Sequence, residues 1–176
     1  MNLKTLKLGI LSDSHHKTQL HQEAIEHLLS CGAEYLLHAG DLEKEKHLQI
    51  LEDAPVPYVT VYGNNDTPLM FLRKKYNIHK EPHYFKIQEL KIKMMHMPYY
   101  MSADADIVIS GHTHKFEAYK RGKTLFINPG EVCARKESLS ESVMLEILEE
   151  SINVIYYSRH PKDSTWKSKK LIFNNR

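Results

Sequence analysis

The chain has 176 residues, 41% of them apolar, enough to bury a core of ordinary size. Its 24 Lys and Arg nearly balance 22 Asp and Glu, and the net charge of +2 gives no electrostatic ground for gripping duplex nucleic acid or an anionic membrane. Two cysteines far apart, Cys31 and Cys133, with no C-x-x-C, fit a reduced protein, and no run approaches the ~20 apolar residues of a membrane helix. The first residues show neither a long apolar core nor a small-residue cleavage site, so a cytoplasmic location is expected.

Residues 6–11 read as a strand that ends in a polar corner, Ser12-Asp13-Ser14-His15-His16. Leu20, Ala24 and Leu28 recur at i, i+4 and i+8, and predict a helix that Gly32 stops. Residues 34–37 predict a second strand, ending at His38-Ala39-Gly40-Asp41, then a helix over 43–52 that Pro55 and Pro57 close. Residues 56–62, rich in β-branched and aromatic side chains, predict a third strand. Its corner is Gly63-Asn64-Asn65-Asp66, followed by a helix over about 68–76 with Pro68 in its first turn. Strand, corner and helix three times over imply βαβ units and a largely parallel sheet, whose ligands bind beyond the carboxyl ends of the strands.

After residue 80 the rhythm changes. Residues 84–87 and 90–95 predict a hairpin that ends at His96. Short strands at 106–109, 116–119 and 124–127, and a last hairpin of 143–148 with 152–157, suggest a second, mainly antiparallel sheet packed on the first. Asn128-Pro129-Gly130 is a turn by composition. Residues 158–176 read as a polar, basic tail on a single domain whose core spans about 6–157, with an edge strand at 171–173 as the alternative.

The run Ser110-Gly111-His112-Thr113-His114 follows the 106–109 strand. Imidazole is the commonest metal ligand, and Gly111 is expected to supply the bend that turns both rings into one cleft. Taken alone, H-x-H in a chain with 12 histidines reads equally well as a polar loop. The recurrence decides the matter. Five strand ends carry metal-competent groups: Asp13 with His15, Asp41, Asn64, His96, and His112 with His114. Carboxylate, carboxamide and imidazole together favour Mn, Fe, Zn or Ni over Ca or Mg. A carboxylate such as Asp41 can bridge two cations, and paired cations about 3.5–4 Å apart clamp an in-line displacement at phosphorus.

The series D-x-H, G-D, G-N-x-D, H, G-H-x-H, spread over about residues 6–148, resembles the calcineurin-like metallophosphoesterases. H-A-G-D, G-N-N-D and N-P-G look most like the small bacterial and archaeal phosphodiesterases of that family, whose scaffold the retromer subunit shares. The resemblance implies a four-layer α/β/β/α sandwich of two mixed sheets flanked by helices. It implies two divalent transition-metal ions, Mn first, with Ni, Fe or Zn as alternatives, and a bridging hydroxide that attacks a small phosphodiester. By the same resemblance Asp13, His15, Asp41 and His114 hold the first ion, and Asp41, Asn64, His96 and His112 the second. Asp66 then anchors the ligands, with His38 and Asn128 as further supports.

Some positions depart from the family pattern. Asn65 stands where many relatives carry a histidine that serves the leaving group or the phosphate; it can donate a hydrogen bond but cannot be a general acid. His16 is the candidate substitute. Met97-Pro98 follow His96 where glycine is usual, so this corner is expected to take its own path. The short 97–105 segment has no room for the helix that relatives carry, and Tyr99, Tyr100 and Met101 read either as an apolar lip or as plain surface residues. Glu131, at a position that is often serine, is expected to point away from the phosphate. The alternative function is a catalytically silent metal- or protein-binding scaffold. A nuclease finds no basic aromatic groove in the sequence, and a homodimer stays open.

Overall fold

In the run Leu6–Leu11, which forms β1, side chains alternate between two apolar surroundings, and this strand becomes the middle of a sheet. The computed structural model describes residues 5–175. After β1 come α1 (Thr18–Ser30), β2 (Tyr35–His38), α2 (Glu45–Glu52), β3 (Tyr58–Val61), a 3-10 helix (Thr67–Lys74) and β4 (Ile78–His79). The second half holds β5 (His83–Ile87), β6 (Leu90–Met94), β7 (Ile107–Ile109), β8 (Phe116–Arg121), β9 (Thr124–Pro129), β10 (Ser140–Ile147), β11 (Ser151–Arg159) and β12 (Lys167–Asn174). One sheet runs β12-β11-β10-β1-β2-β3-β4, the other β5-β6-β7-β9-β8.

Both sheets are mixed. β1, β2, β3 and β4 pair in parallel, and β10 joins β1 antiparallel. In the second sheet β6, β7 and β9 pair in parallel, with β5 and β8 antiparallel at the edges. The core between the sheets sets Leu8, Ile10, Leu37, Val143 and Leu145 against Ile92, Met94, Ile107, Ile109 and Ile127. On the other face of the first sheet, Leu11, Leu36 and Met144 pack on Leu28 of α1 and on Leu48 and Leu51 of α2. Strands buried on both faces need near-continuous apolar runs, as Leu36-Leu37 and Val143-Met144-Leu145 show.

Four expectations need correction. The last hairpin, β10–β11, extends the first sheet and not the second, because β10 is apolar on both faces and can pair with the central β1. The 68–76 helix is a 3-10 helix over Thr67–Lys74, in which Leu69 alone is buried, too small an apolar face to hold a regular α-helix. The basic tail is largely strand: β12 pairs antiparallel with β11 from Ser151 to Ser158. Leu171 and Phe173 lean on the inter-sheet core and lysines face out, a charged edge that discourages pairing with another chain. The outer face of the second sheet carries no helix among the described residues. Met95, Met101 and Ala105 of the intervening loop cover Val108 and Phe126 there, since Pro98 breaks a segment already too short to make one.

Candidate metal centre

The strands that pair in parallel deliver their carboxyl ends to one edge, and the corners beyond them are stitched together by backbone hydrogen bonds. Asp13 N donates to Gly40 O (3.0 Å), His15 N to Asp41 O (2.9 Å), Gly111 N to His96 O (3.1 Å) and Cys133 N to Asp13 O (3.1 Å). Five of the expected ligands have left-handed backbones: Asp13 (φ 55°), His15 (45°), Asp41 (58°), His112 (67°) and His114 (63°). Each such residue costs of order 1 kcal/mol or more and persists only where the surroundings fix it. The bend expected at Gly111 thus falls on the histidines themselves. Gly111 is required for a different reason: a Cβ there would sit 2.1 Å from Ser12 Oγ and 3.0 Å from Asp13 Oδ2.

All seven expected ligands converge. Nε2 of His114 lies 3.2 Å from Asp13 Oδ1 and 3.4 Å from Nε2 of His15. Nε2 of His15 lies 3.6 Å from Asp41 Oδ2. That same Asp41 oxygen is 3.4 Å from Nε2 of His96, on the side where Asn64 Oδ1 stands 3.0 Å from His96 Nε2 and 3.1 Å from His112 Nδ1. Asp41 Oδ2 therefore lies between two groups of donors. Asp13 Oδ1 is buried and makes no hydrogen bond, an uncompensated carboxylate oxygen of the kind a cation satisfies. Imidazole, carboxylate and carboxamide donors gathered on the two sides of Asp41 Oδ2 fit divalent transition-metal ions.

The surrounding shell fixes the ring orientations. His15 Nδ1 pairs with Glu43 Oε1 (2.5 Å), His114 Nδ1 with Glu131 Oε2, and His96 Nδ1 donates to Ala39 O (2.8 Å). Each leaves Nε2 for the centre, the usual second-shell arrangement. Glu131 is buried: its carboxylate sits behind His114, on the ring nitrogen far from the centre, and the backbone N–H groups of Lys136 and Glu137 close on its other oxygen. Burial opposes the charge, but His114 and those amides hold the Glu131 carboxyl down at about 2. Asp66 accepts from the N–H groups of Asp41 (2.9 Å), Gly63 (2.7 Å) and Glu43 (2.6 Å), the anchor expected of it. Asn128 Nδ2 donates to Gly111 O (2.9 Å) and Thr113 Oγ1 (3.0 Å), fixing the histidine corner. Burial pushes the Asp41 carboxyl up, yet the bonds from His96 and Asn65 outweigh it and leave it well below the usual range. Burial lowers His96 in turn, but Asp41 and Asp13 prevail and raise it to about 9.

Asn65 and His16 both have partners among the neighbouring side chains. Asn65 spends its backbone N–H and its Nδ2 on the two oxygens of Asp41, at 2.9 and 2.8 Å. The His16 side chain is 76% exposed and pairs with Glu43 Oε2 at 2.7 Å. Tyr99 and Tyr100 are exposed along a cleft shared with Tyr84, Lys93 and Ser102 that holds none of the ligands. At the corner after His96, Glu81 Oε2 accepts from the N–H groups of His96 (2.6 Å) and Met97 (2.8 Å). Sequence reasoning missed Glu43, Glu81, Cys133 and Arg135, whose Nη2 lies 3.3 Å from His15 Nε2. Only Glu43, two residues past Asp41, carried a signal, by proximity to a ligand.

His38 belongs to a buried histidine relay under the centre. Its Nδ1 accepts from Gly40 N–H (3.2 Å), so its Nε2–H donates to Ser14 Oγ (2.8 Å). Ser14 then donates to His21 Nδ1 (2.7 Å), and His21 Nε2–H to the carbonyl of His47 (3.2 Å). His47 Nδ1–H donates to Leu42 O (2.6 Å), and its Nε2 accepts from Thr18 (2.9 Å). All three rings are neutral by this accounting, and the tautomers follow from groups that can only donate or only accept.

A model of the calcineurin-like phosphoesterase superfamily domain matches residues 6–150. A curated phosphodiesterase of Methanocaldococcus jannaschii is 28% identical over 141 residues, covering 73% of this chain and 85% of that protein. Among solved structures, an archaeal phosphodiesterase superposes with a TM-score of 0.71 at 23% identity, covering 94% of this chain and all of that one. Wild-type Vps29 of Entamoeba histolytica, complexed with zinc, gives 0.72 at 21% identity, covering 96% of this chain and all of that one. At these identities the two solved structures speak for the fold alone.

Proposed function

Since the chain belongs to the calcineurin-like phosphoesterase superfamily, we propose that it is a phosphodiesterase working with two divalent metal ions, Mn²⁺ foremost. What carries this reading is Asp41 Oδ2, 3.6 Å from His15 Nε2 on one side and 3.4 Å from His96 Nε2 on the other, a carboxylate placed to serve two cations at once. Asp13, His15, Asp41 and His114 would hold one, and Asp41, Asn64, His96 and His112 the other. Bound there, the cations supply Lewis acidity toward phosphoryl oxygens and a nucleophile at neutral pH.

The chain's own residues do the positioning. Asp13 gives one oxygen to Ser12 Oγ (2.6 Å) and the His112 N–H (3.0 Å), which aims the other into the centre. Asn65 fixes both oxygens of Asp41 and so sets the separation of the two donor groups. The Arg135 guanidinium at the rim stands where it offsets charge on non-bridging phosphate oxygens. With Asn65 and His16 both engaged elsewhere, the leaving group takes its proton from water, which favours esters of acidic alcohols and phenols. The whole chain acts as one domain in this reading, in the cytoplasm.

The second reading, a silent scaffold, draws on the fold shared with Vps29. Hydrolysis of bis-p-nitrophenyl phosphate by metal-stripped protein titrated with Mn²⁺, with Asp41→Asn as control, separates the two. Metal-dependent turnover lost in the variant supports the esterase; no turnover with Mn²⁺, Ni²⁺, Fe²⁺ or Zn²⁺ favours the scaffold.

A further inference from the structure

The usual role of a buried cysteine is that of a small hydrophobe. Cys133 does not fit that role. It is buried, yet it belongs to none of the three apolar clusters of the core. Its neighbours are polar: its N–H bonds Asp13 O at 3.1 Å, and its Sγ–H points to Glu131 Oε2 at 3.4 Å, the oxygen that also holds His114. Sγ and one ring nitrogen each of His15 and His114 lie within 4.8 Å of one another. In a tetrahedral site, Zn–N near 2.0–2.1 Å and Zn–S near 2.3 Å put two ligands of one ion about 3.6 Å apart, so closure asks for shifts of up to about 1.2 Å. A second observation points to the same spot: the buried, unbonded Oδ1 of Asp13, 3.2 Å from His114 Nε2.

We propose that Cys133 is a further ligand of the cation held by His15 and His114, and that its sulfur biases this centre toward thiophilic ions such as Zn²⁺ over Mn²⁺. The inference rests on the metal-centre reading of the preceding section. In the step it requires, the Sγ–H bond breaks, the proton passes to water, and the sulfur electron pair forms the bond to the cation in place of a water ligand. Nothing is oxidised or reduced. Thiolate is a soft donor, and Zn²⁺ gains more from it than Mn²⁺ does. Cys133 N–H tied to Asp13 O keeps the sulfur at the wall of the site whether or not a cation is bound.

Cobalt titration of the metal-stripped protein, followed by absorption, tests this directly. Visible d–d bands report Co²⁺ bound to the centre; a near-ultraviolet sulfur-to-cobalt band reports a thiolate ligand. The expected result is both bands in the wild-type protein and in Cys31→Ser, with the near-ultraviolet band lost in Cys133→Ser. The chain has two cysteines, so a band that survives in Cys31→Ser identifies Cys133 even if the Cys133 variant fails to fold. Competition with a chelator is expected to show Zn²⁺ binding weakened by at least about tenfold in Cys133→Ser, with a smaller loss for Mn²⁺. Visible bands with no near-ultraviolet band overturn the proposal and leave the metal centre standing. A near-ultraviolet band lost in Cys31→Ser also overturns it. Absence of both bands overturns the metal-centre reading and this inference together.

Discussion

His47→Gln tests whether the histidine relay under the centre is neutral in the folded protein. His47 is fully buried, and both ring nitrogens are used, one donating to Leu42 O and one accepting from Thr18. Burial, only partly opposed by the Leu42 carbonyl, brings its pKa from the ordinary 6.5 down to about 4. The folded state therefore refuses a proton that the unfolded chain accepts, so stability is full above pH 6.5 and falls as the pH drops toward 4. Below about pH 4 the folded ring protonates as well and the loss levels off. At pH 5 the unfolded imidazole is almost wholly charged, and the gap of about 1.5 pH units at about 1.4 kcal/mol per unit makes the cost about 2 kcal/mol. Glutamine can donate to Leu42 O and accept from Thr18 but does not titrate. Urea unfolding of chelator-treated protein at pH 7 and pH 5 reads the difference. The wild-type protein is expected to lose about 2 kcal/mol more between the two than His47→Gln, other titrating groups cancelling in the comparison. Equal losses would refute the neutral relay.

Three further outcomes follow from the shell around the centre. Asp66→Ala strands the N–H groups of Asp41, Gly63 and Glu43 and is expected to cost about 3 kcal/mol or more in urea unfolding, at 1–3 kcal/mol per buried orphan donor. Glu131→Gln frees the far nitrogen of His114 from a charged partner and is expected to weaken metal affinity about 10- to 100-fold with little change in the circular dichroism spectrum, read by chelator competition. Gly111→Ala drives a methyl into Ser12 Oγ and is expected to lower the melting temperature through an overpacking cost of about 1–3 kcal/mol and to loosen Asp13, whose Oδ2 that hydroxyl bonds.

The corners were legible because each is local: an apolar run, then Asp, His or Asn, is a pattern a few residues long. The parallel half of the first sheet was legible for the same reason, through its strand–corner–helix repeat. What the pattern could not show is which far-off element fills the space behind each corner. Glu131 follows a turn, and nothing near it in sequence says that its carboxylate meets a histidine 17 positions back. Glu81 caps a corner 15 residues downstream. The placing of β10 beside β1 joins residues more than 130 positions apart, and short-range alternation carries no record of that choice. In β12, Lys167, Lys169 and Lys170 masked the alternation of Leu171 and Phe173, so a real strand read as a tail.

The corners that carry the candidate ligands are far apart along the chain and are joined by long-range contacts. Asp13, Asp41 and Asn64 leave the ribosome well before His112, His114 and Cys133, and a hydrogen bond such as His112 N–H to Asp13, 99 positions apart, cannot form until both halves are in place. Closing so long a loop is slow. A chain without its tertiary fold thus offers scattered carboxylates but no cage, and the capacity to hold a cation is a property of the finished sandwich.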